Sequence, residues 1–462
     1  MNTKKFYRNH LRGGSTNAKI RITRKDKRKA LENFKLCVEL WKIIKHFFPD
    51  LIPLLRRCLD HRHQSYVDYE NHVLLFVRVL GAVFRIESMR GMSEELNKTV
   101  SIKNISRILE LEEELTELPH WKTINDYLEK LKPTELEAII PKLIKRITRM
   151  RSFENSRIRN KYWHVVVDGT HLFTFNERHC KHCSVREFKD KKTKIVYRRE
   201  YYHSVLEAKL VLFGGVVVSI ATEFIENESA DVSKQDCELK AFYRMAAKLK
   251  KNFPRLPICL GLDSLYAAGP VFELCKRYGW HYIIRFKDGS IKSVAAEFHA
   301  LKHIEPEQVI AKQGQEYRYV LKIPYQAYEL NIVEFIQNDL PHPFVFITGL
   351  PITRQNCIQL VEDGRRRWQI ENEGFNEQKN HGLGLNHMFS ENYKAMKNHY
   401  VLIQIGHMIA QLLEFGIRRL CELSKMATVR IFALVKEAFR TLILTDEDEA
   451  LVHLQTQYRL RC

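Results

Sequence analysis

Asp168, Asp263 and Glu371 are the residues of this 462-residue chain best suited to chemistry. Asp168 closes the apolar run "WHVVVD" and Asp263 closes "LPICLGLD", so both carboxylates are expected at the ends of strands. Glu371 lies in "RRRWQIENEGFNEQKNHGLG" (365–384), which reads as a helix. If the two strands are neighbours, both aspartates emerge at one sheet edge, and the later helix can bring Glu371 across it. Three acids converging in this way repel one another unless protonated or bridged by cations, so the pattern points to a divalent metal site. Oxygen-only ligands favour Mg²⁺ or Mn²⁺ over zinc. Two such ions about 3.5–4 Å apart would activate a water or a sugar 3′-hydroxyl and stabilise the leaving oxygen of a phosphodiester displacement.

At about 100° per residue, Arg367, Glu371, Phe375 and Gln378 share one helical stripe, with Lys379 slightly off it. Arg367 is expected to contact a phosphate or orient Glu371, and Phe375 to anchor the helix. Trp368 is expected to pack on the sheet, with stacking on a displaced base as the alternative. Arg365, Arg366 and Lys379 complete the basic group offered to DNA. The plainer reading is an amphipathic helix with a surface Arg–Glu pair, worth about a few tenths of a kcal/mol. Glu373, Glu377, Asp236, Glu238 and Asp288 are competing acids, and His171 reads as structural or DNA-facing.

The surrounding pattern supplies the elements that must hold these side chains. Residues 1–30 form a basic arm. From 31 to 155 apolar residues recur at three- and four-residue spacing, which predicts a helical domain. Within it, two short helices around 101–131 could form a helix-turn-helix offering Lys122, Asn125 and Lys130 to DNA. From 156 to 390 the predicted order is three strands, helix, strand, helix, strand, with a β-rich insertion at about 290–350. This α/β order is that of a ribonuclease-H-like mixed sheet. Residues 391–462 read as C-terminal helices.

A formal charge of +20 with 45% hydrophobic residues describes a folding chain with a polyanionic partner, nucleic acid first and an anionic membrane surface second. No stretch offers about eighteen uninterrupted apolar residues, and no apolar leader opens the sequence, so an intracellular protein without a membrane span is expected. Ten cysteines over this length do not make a disulfide framework. "HCKHC" (179–183) supplies half of a zinc site at most, with no second CxxC or HxxxH in the sequence to complete it. The expectation there is a polar loop, with metal binding as the alternative.

"VVVDGTH", "ICLGLDSLYA" and "RRRWQIENEGFNEQK" together resemble the three catalytic blocks of DDE transposases from bacterial insertion sequences, and are most similar to the insertion-sequence-four-like group. That group's third block reads Tyr-x2-Arg-x3-Glu-x6-Lys. Arg367 and Glu371 match it, whereas Gly364 stands in the Tyr slot and Gln378 in the Lys slot, with Lys379 one residue later. The resemblance implies a ribonuclease-H-like catalytic domain in which Asp168, Asp263 and Glu371 hold Mg²⁺ or Mn²⁺. It also implies an endonuclease and recombinase that binds terminal inverted repeats of double-stranded DNA, cleaves them and joins 3′ ends to target DNA. A homodimer in the synaptic complex and a bacterial cytoplasmic, nucleoid-associated location follow from the same resemblance. The alternatives are a metal-dependent nuclease without strand transfer and a non-catalytic, domesticated DNA-binding protein.

Overall fold

Apolar residues three and four apart govern the first part of the fold. The computed structural model describes residues 35–453 except 305–307, 313, 339–340 and 421–425, so the basic arm 1–30 lies outside the described residues. Helices Leu36–Phe47, Asn71–Val83, Thr99–Ile108, Trp121–Lys130 and Ile139–Arg149 are the longer elements ahead of the sheet. Asn71–Val83 is buried on every side, as its nearly continuous apolar sequence requires. It packs against the long helix Tyr393–Leu420. The two backbones approach at Gly406, where a Cβ would stand 2.6 Å from that of Ala82, so any side chain there would force the helices apart. The long helix has the length and composition to cross a membrane, yet 89% of its apolar window is buried inside the protein. Its Asn398 amide donates to the carbonyls of Leu128 (2.8 Å) and Leu131 (2.9 Å), satisfying acceptors that the end of Trp121–Lys130 leaves open. One apolar core runs from Leu36 through Leu444 and joins helices and sheet.

Residues 109–120 separate Thr99–Ile108 from Trp121–Lys130, so the pair lacks the turn of about three to four residues that defines a helix-turn-helix. Lys122 and Lys130 are exposed. Asn125 differs from the expectation: it is half-buried, donating to Glu129 at 2.8 Å and lying 3.4 Å from the His399 ring.

Ten strands make one sheet: β1 (Trp163–Phe175), β2 (Ser184–Lys189), β3 (Val196–Val211), β4 (Val217–Ile225), β5 (Ile258–Leu262), β6 (His281–Arg285), β7 (Val309–Lys312), β8 (Gln315–Tyr325), β9 (Tyr328–Gln337) and β10 (Phe344–Thr348). Their order is β2-β3-β1-β5-β6-β10-β9-β8-β7, with β4 also on β3. β1 pairs antiparallel with β3 and parallel with β5, and β5 runs parallel to β6. The β3–β4 turn uses Gly214 and Gly215 at φ +72° and +83°, a left-handed path that glycine adopts without strain. A side chain on Gly214 would also overlap the Phe415 ring.

The sheet holds more strands than the predicted order of three strands, helix, strand, helix, strand. Residues 184–203 form β2 and the outer half of β3, a solvent-facing hairpin whose polar residues hide the strand pattern. The strands of the expected β-rich insertion join the main sheet, because β10 bonds antiparallel to β6 and continues it. The helix Cys357–Arg365 then covers this extension through a second apolar cluster that includes Phe335, Phe346 and Leu360.

Candidate active site

Val165, Val166 and Val167 are fully buried because β1 lies inside the sheet with neighbours on both sides. Burial relaxes at Asp168, where the strand becomes polar. The parallel register pairs Trp163 with Ile258 and Val166 with Gly261, and the same offset carried two residues further sets Asp168 level with Asp263. Adjacent strands lie about 4.8 Å apart, so the two carboxylates leave the sheet as neighbours. Asp263 also caps the turn that follows β5 by accepting from the Leu265 amide at 2.8 Å.

A third acid joins this pair from the helix Glu238–Asn252. Glu238 accepts from the Tyr266 hydroxyl at 2.7 Å, and its second oxygen lies where a side chain on Gly169 would otherwise sit. Burial pushes the Glu238 carboxyl above its ordinary value; the hydroxyl of Tyr266 draws it back, and the charges of Asp168 and Asp263 raise it further. The Asp168 carboxyl is likewise raised by burial, lowered by Arg367 and raised again by Asp263. Glu238 was only one of several competing acids in the sequence; what distinguishes it is contact with Tyr266, a residue beside Asp263.

Arg367 supplies the countercharge, its Nη1 donating to Asp168 Oδ2 at 2.9 Å with the two side chains 13% and 25% exposed. The segment that carries it is not a uniform helix. It passes from a short 3₁₀ turn, Arg366–Trp368, into a π-helix, Ile370–Asn376, and back to an α-turn, Glu377–Asn380. The expected stripe is therefore broken: wider winding turns Phe375 and Gln378 into the core and leaves Glu371 exposed. Gln378 bonds Gln404 at 2.8 Å and lies 3.1 Å from the His407 ring, so it is a core residue. Lys379 is half-buried; burial lowers its ammonium and the nearby Glu371 charge raises it. Glu371 lies one turn beyond the guanidinium that holds Asp168, on a segment that packs against β1.

Three of the competing acids are occupied elsewhere. Asp236 pairs with Arg244 at 2.6 Å, Asp288 with His299 at 3.0 Å, and Glu377 with Arg85. Glu373 is half-buried, and its backbone carbonyl accepts from Gln411 at 2.7 Å.

Arg367 also lines a cleft of about 390 Å³, together with Arg285, Phe344, Glu362, Arg365, Arg366 and Trp368 among others. Arg365 is exposed and stacks its guanidinium 5.4 Å from both the Phe335 and Phe344 rings. Arg366 faces Asp363 at 3.6 Å. Trp368 rests edge-on against Phe344 at 5.9 Å but stays 52% exposed, so it packs on one side only. Arg285 is lowered by burial and by the charge of Arg367, the electrostatics of a cleft with surplus cations.

The oxygen-only donors Asp168, Asp263 and Glu238 fit a hard divalent cation: their mutual repulsion is what such an ion relieves. The family model described as a transposase DDE domain matches residues 159–409, more than half of the chain and all ten strands of the sheet. The chain belongs to the DDE transposase family. No curated protein matches it. Among solved structures, it is similar to the cryo-EM structure of a piggyBac transposase synaptic complex with hairpin DNA, at 11% identity over 95% of this chain and 85% of that one. The TM-score of that match is 0.39. Divalent metals are general in DDE transposase domains, which agrees with the oxygen donor set.

Proposed function

We propose that this DDE transposase binds the terminal inverted repeats of its own element, cleaves them and joins the freed 3′ ends to target DNA. The observation that carries the reading is the level placement of Asp168 and Asp263 on adjacent parallel strands, with Arg367 bound to Asp168 one turn before Glu371. The strand order β4-β3-β1-β5-β6 supports a ribonuclease-H-like core. The Arg-x3-Glu spacing supports the insertion-sequence-four-like group and, with it, a bacterial cytoplasmic protein acting as a synaptic dimer.

Asp168, Asp263 and Glu371 would hold Mg²⁺ or Mn²⁺, with Glu238 beside them. When bound there, a divalent ion acidifies the attacking water or 3′-hydroxyl and stabilises the leaving oxygen. Arg367 positions Asp168 and, once released, faces the scissile phosphate. Arg365 offers a guanidinium to the DNA backbone, and the open face of Trp368 offers a stacking surface to an unpaired base. The exposure of Glu371 fits a side chain that swings inward when the phosphate and ions arrive.

The test is cleavage of a duplex carrying the element's end in Mg²⁺ or Mn²⁺, comparing wild type with Glu371→Gln and Glu238→Gln. Nicking at the repeat boundary by wild type, with binding but no cutting by Glu371→Gln, supports the assignment. Equal cutting by wild type and Glu371→Gln, with loss only in Glu238→Gln, moves the third ligand to Glu238. Binding without cutting by wild type refutes catalysis and leaves a DNA-binding protein. Cutting without joining to target DNA leaves a nuclease.

A further inference from the structure

The segment after β1 gathers a second, chemically different donor set. Cys180 and Cys183 stand in the turn between β1 and β2, and His203 projects from β3, whose pairing sets it opposite Phe173. His203 and Cys183 are buried and Cys180 is half-buried. Among the described residues, these are the three His, Cys or acidic side chains whose ligand atoms all lie within 4.8 Å of one another. The sulfurs are 3.7 Å apart, and His203 Nε2 is 3.4 Å from Cys180 Sγ and 3.5 Å from Cys183 Sγ.

These three edges match one face of a zinc tetrahedron. With Zn–S about 2.3 Å and Zn–N about 2.0–2.1 Å, tetrahedral angles give S···S of about 3.8 Å and S···N of about 3.5 Å. A disulfide requires about 2.05 Å, far shorter than the observed gap. Hydrogen bonding alone does not explain the triangle either. Nε2 carries one proton or one lone pair, so it serves one sulfur at a time, yet it sits almost equidistant from both.

The loop around the triangle is also shaped for it. The Cys180 amide donates to Cys183 Sγ at 3.4 Å, an interaction that favours a thiolate. Asn227 donates to the Cys183 carbonyl at 2.9 Å and accepts contact from the His182 ring through its own carbonyl at 2.8 Å. His182 stacks on Tyr393 at 4.4 Å, His179 stacks on Phe175 at 4.7 Å, and the His203 ring lies 5.4 Å from Tyr393. The neighbouring histidines thus brace the loop, and Cys180 is the half-buried member of the triangle.

We propose that Cys180, Cys183 and His203 bind one zinc ion that clips the β1–β2 turn to β3. The clip is separate from the carboxylate site: His203 stands opposite Phe173, five residue steps along β1 from Asp168, about 17 Å at about 3.3 Å per residue. Its role is to order the far end of the strand that carries Asp168.

The test uses the full chain purified without chelator, measured by elemental mass spectrometry. Wild type and Asp168→Asn should each retain about one zinc per chain, and Cys183→Ser and His203→Ala should each lose it. Because those two variants can fail to fold, the second measurement replaces zinc by Co²⁺ in wild type. A thiolate-to-cobalt charge-transfer band with intense tetrahedral ligand-field absorption, saturating at one equivalent, supports the proposal. Folded wild type that carries no zinc and develops no such band overturns it, as does a Cys180–Cys183 disulfide in the purified protein. Retention of zinc by folded Cys183→Ser together with its loss from Asp168→Asn also overturns it, because the metal is then at the carboxylates.

Discussion

The three consecutive arginines of the cleft should contribute unequally to DNA binding, because the structure compensates them unequally. Arg365 is exposed and pairs with no carboxylate among the described residues, its guanidinium resting on Phe335 and Phe344. Arg366 already faces Asp363 at 3.6 Å, and that acid is 3% exposed. Each cation that neutralises a phosphate on duplex DNA adds about 0.9 to the slope of log affinity against log salt. Arg365→Gln should therefore lower the slope by about 0.9, so that the wild-type advantage shrinks by about 3.5-fold between roughly 50 and 200 mM salt. Arg366→Gln should leave the slope nearly unchanged at pH values well above that of Asp363, whose carboxyl burial pushes up to about 6. Below that value Asp363 takes up a proton, Arg366 loses its countercharge, and its contribution should grow towards that of Arg365. Fluorescence anisotropy with an end-containing duplex, titrated over salt at pH 8 and pH 5.5, reads both effects. Equal decrements for the two variants at pH 8, or none for Arg365→Gln, would refute the argument that pairing with Asp363 silences Arg366.

Glu238→Gln should weaken Mn²⁺ binding by about tenfold with unchanged circular dichroism, since it removes a charge beside Asp168 and Asp263; unchanged affinity in calorimetry would reduce Glu238 to a partner of Tyr266. Asp363 has a raised folded pKa, so its stabilising contribution is present below the unfolded value near 4 and is lost as pH rises towards about 6. Asp363→Asn should accordingly flatten the fall in urea stability across that window by up to about 3 kcal/mol, and an unaltered pH profile would count against a buried charge at this position. Gly214→Ala combines left-handed strain with overlap of the Phe415 ring, so thermal or urea unfolding should show a loss of about 2–4 kcal/mol. A loss under about 1 kcal/mol would mean that the turn relaxes freely.

Legibility in the sequence followed burial. The buried first part of β1 and the short strands β5 and β6 are largely apolar because both faces of the central sheet are covered, and such runs announce themselves. The outer hairpin of β2 and β3 is built from Arg, Lys, Glu and Tyr at solvent-facing positions, so no apolar alternation marks it. The attachment of β10 to β6 joins residues about 60 apart, and nothing local encodes it. Asp168 and Asp263 were visible as polar residues ending apolar runs. The Arg367–Asp168 pair spans 199 residues and was not. The broken stripe has a local cause with no sequence signature: the chain widens to a π-turn at 370–376, where Gly374 lies against the buried Lys209 side chain. His203 likewise stands twenty residues beyond the Cys-x2-Cys knuckle, on a strand whose outer half the sequence concealed.

The Arg367–Asp168 contact also explains how an acidic centre survives inside a strongly basic protein before any ion arrives. Asp168, Asp263 and Glu238 bring three carboxylates together against one guanidinium, which leaves two surplus negative charges when all are ionised. Burial holds the Asp168 and Glu238 carboxyls above their ordinary values, and this surplus raises them further, even with Arg367 in place. The surplus equals the charge of a single divalent cation, so a bound ion would replace repulsion by neutrality without any need to expel Arg367 first. A second ion would over-neutralise the three acids unless another carboxylate came in, and Glu371 is the exposed acid one helical turn from the guanidinium. Entry of Glu371 and release of Arg367 towards a phosphate would then be two halves of one exchange. Arg367 and Glu371 stand on adjoining turns of one continuous segment, the first on an unburied 3₁₀ turn and the second on the π-turn whose Ile370 and Phe375, followed by Gln378, are buried, so the Arg367 end is the one free to rewind.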